Sequence, residues 1–190
     1  MFNDATNLFC VGERRGGFTL ILSKQEIASL IKKQGLVTGF VDAAQQLQPA
    51  SVDLTIEKVF ELASGEAGAL DFDNSERVIP KAAEVSFDEK DWLYLKPGNY
   101  KIRFNEAVKL PAGIAALTVS RSSLARCGCL VHVGWWDPGY EGRGEACLIV
   151  GGKGLKLKRN AKVAQMIFVK MSEDAKHLYS GIHQKENLKK

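Results

Sequence analysis

Gln48-Pro49-Ala50-Ser51-Val52-Asp53-Leu54-Thr55-Ile56 is the stretch on which the fold turns. Val52, Leu54 and Ile56 alternate with Ser51, Asp53 and Thr55, the two-residue period of a half-buried strand with a polar face. An acid inside such a strand is disfavoured unless it is exposed or given a partner, so Asp53 stands out. The same short rhythm recurs at 92–96, 101–104, 114–120, 129–135, 144–150 and 162–170. Turn residues separate these runs at Pro97-Gly98-Asn99, Pro111-Ala112-Gly113, Pro138-Gly139 and Gly151-Gly152-Lys153-Gly154. The pattern predicts a mainly β fold, an antiparallel sandwich, jelly roll or barrel. One helix announces itself. Ser23-Lys24-Gln25-Glu26 is a capping box, Leu22 and Ile27 sit at staple positions, Ile27, Leu30 and Ile31 form a stripe, and Gly35 is a stop.

With 190 residues and 45% hydrophobic composition, the chain suits one domain with its own core. Its parts read as an N-terminal arm at 1–18, a β domain at 19–178 and a tail at 179–190. The polar stretch 64–90 reads as a long surface excursion. No run approaches the ~18 to 20 apolar residues of a membrane span. The first seventeen residues lack the apolar centre of a secretion signal. Four cysteines suggest no disulfide scaffold, so a reducing cytoplasm is the expected location. Cys127 and Cys129 form a C-x-C that a strand would point to one face, as small buried hydrophobes. A net charge of +4 is compatible with a small anionic ligand and too weak to demand nucleic acid. Lys153, Lys156, Lys158 and Arg159 read as a solvated face.

Four segments carry polar groups where packing alone would not place them. Asp53 interrupts its strand. Arg121-Ser122-Ser123-Leu124-Ala125-Arg126 ends a strand in two hydroxyls and a helical turn between guanidiniums, a pattern suited to phosphate or to a capped surface turn. Trp135-Trp136-Asp137-Pro138-Gly139-Tyr140 brings an acid and a ring together around a tight turn, either a water-activating site or a hairpin with core aromatics. Gln165 is a lone amide in an apolar strand and needs partners, structural or ligand.

In this order the segments resemble the dUTPase and dCTP deaminase superfamily, with its A-S-x-D-L, R-S-S-L-A, D-x-x-Y-x-G and A-Q motifs. They stand here as Ala50–Leu54, Arg121–Ala125, Asp137–Gly142 and Ala164-Gln165, and the likeness spans roughly residues 19 to 184. The Leu22-Ser23 helix and the Q-P-A-S form look most like the archaeal-type dUTPases and the deaminases. The resemblance implies a distorted jelly roll of the dUTPase-like β-clip kind and a homotrimer with active sites between subunits. It implies hydrolysis of dUTP to dUMP and pyrophosphate with Mg²⁺, Asp137 activating the attacking water. Tyr140 matches the ring packed on the deoxyribose. Arg121, Ser122 and Ser123, with Arg126, match the phosphate turn, and Gln165 a polar group beside it. Asp53 matches a group in the metal's water shell, and Val133 and Gly134 lie in the strand whose backbone reads the base. Tyr179 and Gln184 match a Y-x-G-x-x-Q ending, read as a lid over the triphosphate. No membrane and no nucleic acid are expected as partners.

A deaminase of this superfamily needs a glutamate as proton shuttle at the position occupied here by Cys147. Glu145 lies on the same strand face but two steps, about 6 to 7 Å, away, too far for a group that must reach about 3 Å. The zinc-deaminase signature is absent as well. Hydrolysis is therefore favoured over a dCTP deaminase or bifunctional enzyme. A non-catalytic nucleotide-binding trimer is the further alternative, although such a chain would be expected to lose Asp137.

Overall fold

The computed structural model describes residues 20–62 and 67–188. Its first elements are α1 (Lys24–Gln34), β1 (Val37–Thr38), α2 (Ala43–Gln46), β2 (Leu47–Gln48) and β3 (Ser51–Leu62). There follow β4 (Ala82–Val85), β5 (Trp92–Leu95), β6 (Gly98–Phe104), β7 (Ala107–Lys109), β8 (Ile114–Ser120) and α3 (Ser122–Arg126). The last are β9 (Cys129–His132), β10 (Glu141–Gly142), β11 (Glu145–Val150), β12 (Leu155–Lys158) and β13 (Lys162–Lys170). The expected arm at 1–18 lies outside the described residues.

Both halves of the capping box form at the start of α1: Ser23 Oγ accepts from Glu26 N, and Glu26 Oε2 accepts from Ser23 N at 2.9 Å. Gly35 ends the helix at φ 67°, the left-handed backbone that glycine adopts without a Cβ penalty. Strand β3 organises the β structure. Its first half pairs antiparallel with β13 and its second half with β6, with a bulge in each ladder, so one long strand bends through the sheet. The strand path is β8-β13-β3-β6-β11-β9, with β2 and β4 also on β3. The two ends of that path meet: Ser120 Oγ accepts from Val131 N at 2.8 Å and donates to Val131 O at 3.1 Å. The sheet thus curls almost into a barrel, and the distorted jelly roll is the observed fold. Smaller sheets, β1-β7-β10 and β12-β5, complete it.

Curling changes the fate of the polar residues on β3. The alternation predicted one solvated face, yet Ser51, Asp53 and Thr55 are as buried as Val52, Leu54 and Ile56. Each buried polar group must therefore find a partner inside the protein. Thr55 finds Glu106, itself 1% exposed: the carboxylate accepts from Thr55 N at 2.9 Å, Thr55 Oγ1 at 2.6 Å and Gln46 Nε2 at 2.6 Å. Gln46 also donates to Asp53 O and accepts from the amides of Val41 and Asp42. The polar stretch after residue 66 is largely exposed, as expected, but its end forms β4 on β3, which the sequence did not signal. Nor do the two cysteines share a face: Cys129 is buried while Cys127 caps α3 and is exposed. Among the described residues no helix is long and apolar enough to cross a membrane.

Burial pushes Glu106 above its ordinary 4.5, against the lowering pull of the Thr55 and Gln46 donors. A raised folded value means that the folded state holds the proton more tightly, so this contribution to stability declines as pH rises from about 4.5 through the raised value. Glu106→Ala is expected to lower stability by on the order of 3 kcal/mol in urea unfolding, since Thr55 N and Gln46 Nε2 lose their acceptor. The variant should also lack the pH slope.

Candidate active site

Two regions of the surface gather the residues that the sequence singled out. The first is the turn after β8. Arg121, in extended backbone, precedes α3, and its Nε lies 3.3 Å from Asp53 Oδ1. Asp53 is fully enclosed. Lys162 Nζ stands 3.6 Å from Oδ2, to which Gln48 Nε2 donates at 3.2 Å. A carboxylate buried this completely requires such compensation. In the single chain the Asp53 oxygens face Arg121, Lys162 and Gln48 and none meets solvent, and Oδ1 accepts no hydrogen bond. Asp53 forms an ion pair with the Arg121 guanidinium. Gln165 stands opposite Asp53 in the β13–β3 ladder and donates to Ser51 Oγ at 3.4 Å. Ser122, Ser123 and Arg126 are exposed beside it.

The second region is a cleft of roughly 540 Å³ over the outer face of β6, β11 and β9. The ladders set Lys101, Cys147 and His132 in one row across those three strands, with Glu145 two residues from Cys147 along β11. Val133, Gly134, Trp135, Tyr140 and Tyr179 form the walls. Tyr140 packs edge-on between Trp136 at 5.2 Å and Tyr179 at 5.7 Å. Burial first, then the Glu186 carboxylate, drives its phenol far above the ordinary value, so it stays a neutral donor to Glu186 Oε1 at 2.8 Å. Asp137 precedes this turn, its carbonyl accepting from Tyr140 N; the residue is exposed and is not among those that line the cleft.

Glu145 is held differently. Lys101 lies 2.7 Å from Oε2 and Arg103 3.1 Å from Oε1. Burial would raise its value, but the bonds and charges of these two cations prevail and keep the carboxyl below the ordinary range. Cys147, at the position where a shuttle glutamate would stand, is a thiol pushed up by burial.

The tail is docked on the body of the same chain. Gln184 Oε1 accepts from Glu141 N at 2.8 Å, and Nε2 donates to Gly139 O at 2.8 Å and Tyr179 O at 3.1 Å. Tyr179 N donates to Pro138 O, Arg143 N to Glu186 O, and Asn187 Nδ2 to Arg143 O. The side-chain amide of Gln184 is thus engaged with backbone, and it straps the tail against the Asp137–Arg143 turn.

The family model described as dCTP deaminase-like matches residues 21–171. The chain belongs to this family. Members similar to it include the probable deoxyuridine 5'-triphosphate nucleotidohydrolase of Methanosarcina acetivorans, 40% identical over 89% of this chain and 99% of that one. The Archaeoglobus fulgidus protein of the same name is 41% identical over 88% of this chain and 98% of its own. The deoxyuridine 5'-triphosphate nucleotidohydrolase of Methanocaldococcus jannaschii is 35% identical over 73% of this chain and 87% of its own. The solved 2'-deoxycytidine 5'-triphosphate deaminase of Agrobacterium tumefaciens aligns at a TM-score of 0.64 and 19% identity over 80% of this chain. This chain spans 48% of that structure, and the likeness is one of fold.

Within one subunit of this family member, the cleft brings together Val133, Gly134, Tyr140 and Tyr179. Its lining does not include Asp137 or Gln184, which lie on the adjoining turn and tail, nor Arg121, Ser122, Ser123, Arg126, Gln165 or Asp53, which collect at the other region. Sequence reasoning missed Lys101, which grips Glu145, and Glu186, which receives the Tyr140 hydroxyl from 46 residues away. No local spacing could have signalled that contact. Gln184→Ala removes three hydrogen bonds from the strap, so limited proteolysis is expected to cut between Tyr179 and Asn187 at least several-fold faster than in the wild type.

Proposed function

We propose that this chain hydrolyses dUTP to dUMP and pyrophosphate. The observation that carries the reading is the contrast between two carboxylates, one on the turn beside Tyr140 and one in the cleft. Asp137 is exposed, whereas Glu145 is locked between Lys101 and Arg103. An exposed carboxylate can orient a water and take its proton, while a doubly salt-bridged one cannot cycle a proton as deamination demands. The archaeal relatives of matching length, named as dUTP nucleotidohydrolases, support the same reading.

In the proposed reaction Asp137 takes a proton from water as its oxygen attacks the α-phosphorus. The bond from that phosphorus to the bridging oxygen breaks, and pyrophosphate leaves. Arg121, with Ser122, Ser123 and Arg126, would donate to the phosphates and offset the growing charge. Enclosure of Asp53 fixes the guanidinium, and Gln165 stands beside it. Tyr140 and Tyr179 would flank the sugar, and the backbone at Val133 and Gly134 would face the base. Mg²⁺ is the expected cofactor; among the described residues no three or more His, Cys, Asp or Glu side chains gather as a ligand set. The ion would arrive on the triphosphate.

The separation of the Arg121 turn from the cleft supports a homotrimer whose sites join the turn of one subunit to the cleft of another. Leu117 and Val119 on β8, with Leu130 and Ile149 on β9 and β11, are exposed apolar side chains available to such contacts. Asp137→Asn tests the reading. Removing a general base from an exposed position is expected to leave the melting temperature unchanged and slow pyrophosphate release from dUTP by at least about 100-fold. An unchanged rate would remove Asp137 from the mechanism.

A further inference from the structure

The ribbon formed by β5 and β12 contributes no residue to the cleft, yet its outward face has an unusual composition. Alternation buries Leu93, Leu95, Leu155 and Leu157 and so turns Trp92, Tyr94, Lys156 and Lys158 outward. The register sets Lys156 opposite Tyr94 and Lys158 opposite Trp92. Lys156 Nζ lies 4.8 Å and Lys158 Nζ 5.8 Å from the Trp92 ring centroid. Tyr94 is 59% exposed, and its hydroxyl donates to Lys153 O at 2.8 Å, which fixes the ring beside the turn lysine. Residues 153–159 (KGLKLKR) hold four cations and no acid. Arg159 is paired with Asp91 at 2.9 Å, but among the described residues Lys153, Lys156 and Lys158 pair with no carboxylate. Of the acids before β5, Asp88 is occupied by the amides of Lys90 and Trp92.

We propose that this face binds single-stranded nucleic acid, with bases stacking on Trp92 and Tyr94 and phosphates meeting Lys153, Lys156 and Lys158. Aromatic faces interleaved with cations suit an unpaired strand, because any base can stack and every nucleotide carries a phosphate. The two rings stand two strand steps apart, about 6.7 Å, so each can take its own base. A duplex offers no free base faces. A lipid surface fits less well, because the face presents no aliphatic side chain for hydrocarbon. This reverses the expectation drawn from the lysine run alone, which did not include the aromatics that β5 supplies from some 60 residues earlier in the chain.

The test is fluorescence anisotropy of a labelled oligothymidylate with the full chain, in excess dUMP to occupy the cleft, beside its duplex form and anionic phosphatidylserine vesicles. Binding is expected for the single strand, weakening with salt at a log–log slope of about −2, from roughly −0.7 for each of three phosphates. Trp92→Ala and the Lys156→Glu/Lys158→Glu double variant are each expected to weaken it at least about tenfold, the lysine variant while melting like the wild type. No binding, equal binding of duplex or vesicles, or binding indifferent to these variants would overturn the proposal.

Discussion

The enclosed carboxylate of Asp53 is the constraint on which the rest of the architecture depends. A charge with no access to water is tolerable only beside fixed opposite charge and donors, and here Arg121, Lys162 and Gln48 supply them. Those three residues belong to the turn after β8, the start of β13 and β2. One buried oxygen pair thus ties three separate segments to the start of β3. The neighbouring polar residues extend the same logic: Ser51 receives Gln165, and Thr55 joins Glu106 and Gln46. The polar side of β3 acts as an internal seam, and the side chains suited to phosphate are attached to it.

Chemistry in this fold is then sorted by how each acid is held. Asp53 and Glu106 are both enclosed, one beside two cations and Gln48 and the other by neutral donors. Glu145 lies in the cleft but is neutralised by Lys101 and Arg103, while Asp137 stands in the open beside the aromatic wall. The strapped tail adds a second layer: Tyr179, Gln184 and Glu186 brace the turn that carries Asp137 and Tyr140. A segment that the sequence suggests as a lid serves in this state as a buttress for the Asp137–Tyr140 turn.

Much of this was legible in the sequence where local physics governs. The capping box of α1, its glycine stop and the strands β8 and β13 follow from caps and period-two patterning alone. Three features depend on tertiary closure and were not legible. The burial of Asp53 follows from the curl that covers both faces of β3. Glu106 gave no signal, because its partners Thr55 and Gln46 lie 51 and 60 residues away. The strands β4 (AAEV) and β12 (LKLK) are only four residues long, too short for a firm local signal, so pairing with β3 and β5 decides their conformation.

The most direct test of the account compares the products formed when the full chain meets dUTP, dCTP, dTTP and UTP separately with Mg²⁺, with pyrophosphate and ammonia both quantified. A free Asp137 and a locked Glu145 predict pyrophosphate from dUTP alone and ammonia from none. Ammonia from dCTP would show that Glu145 or Cys147 moves protons after all and would contradict the central claim, as would an absence of product from all four.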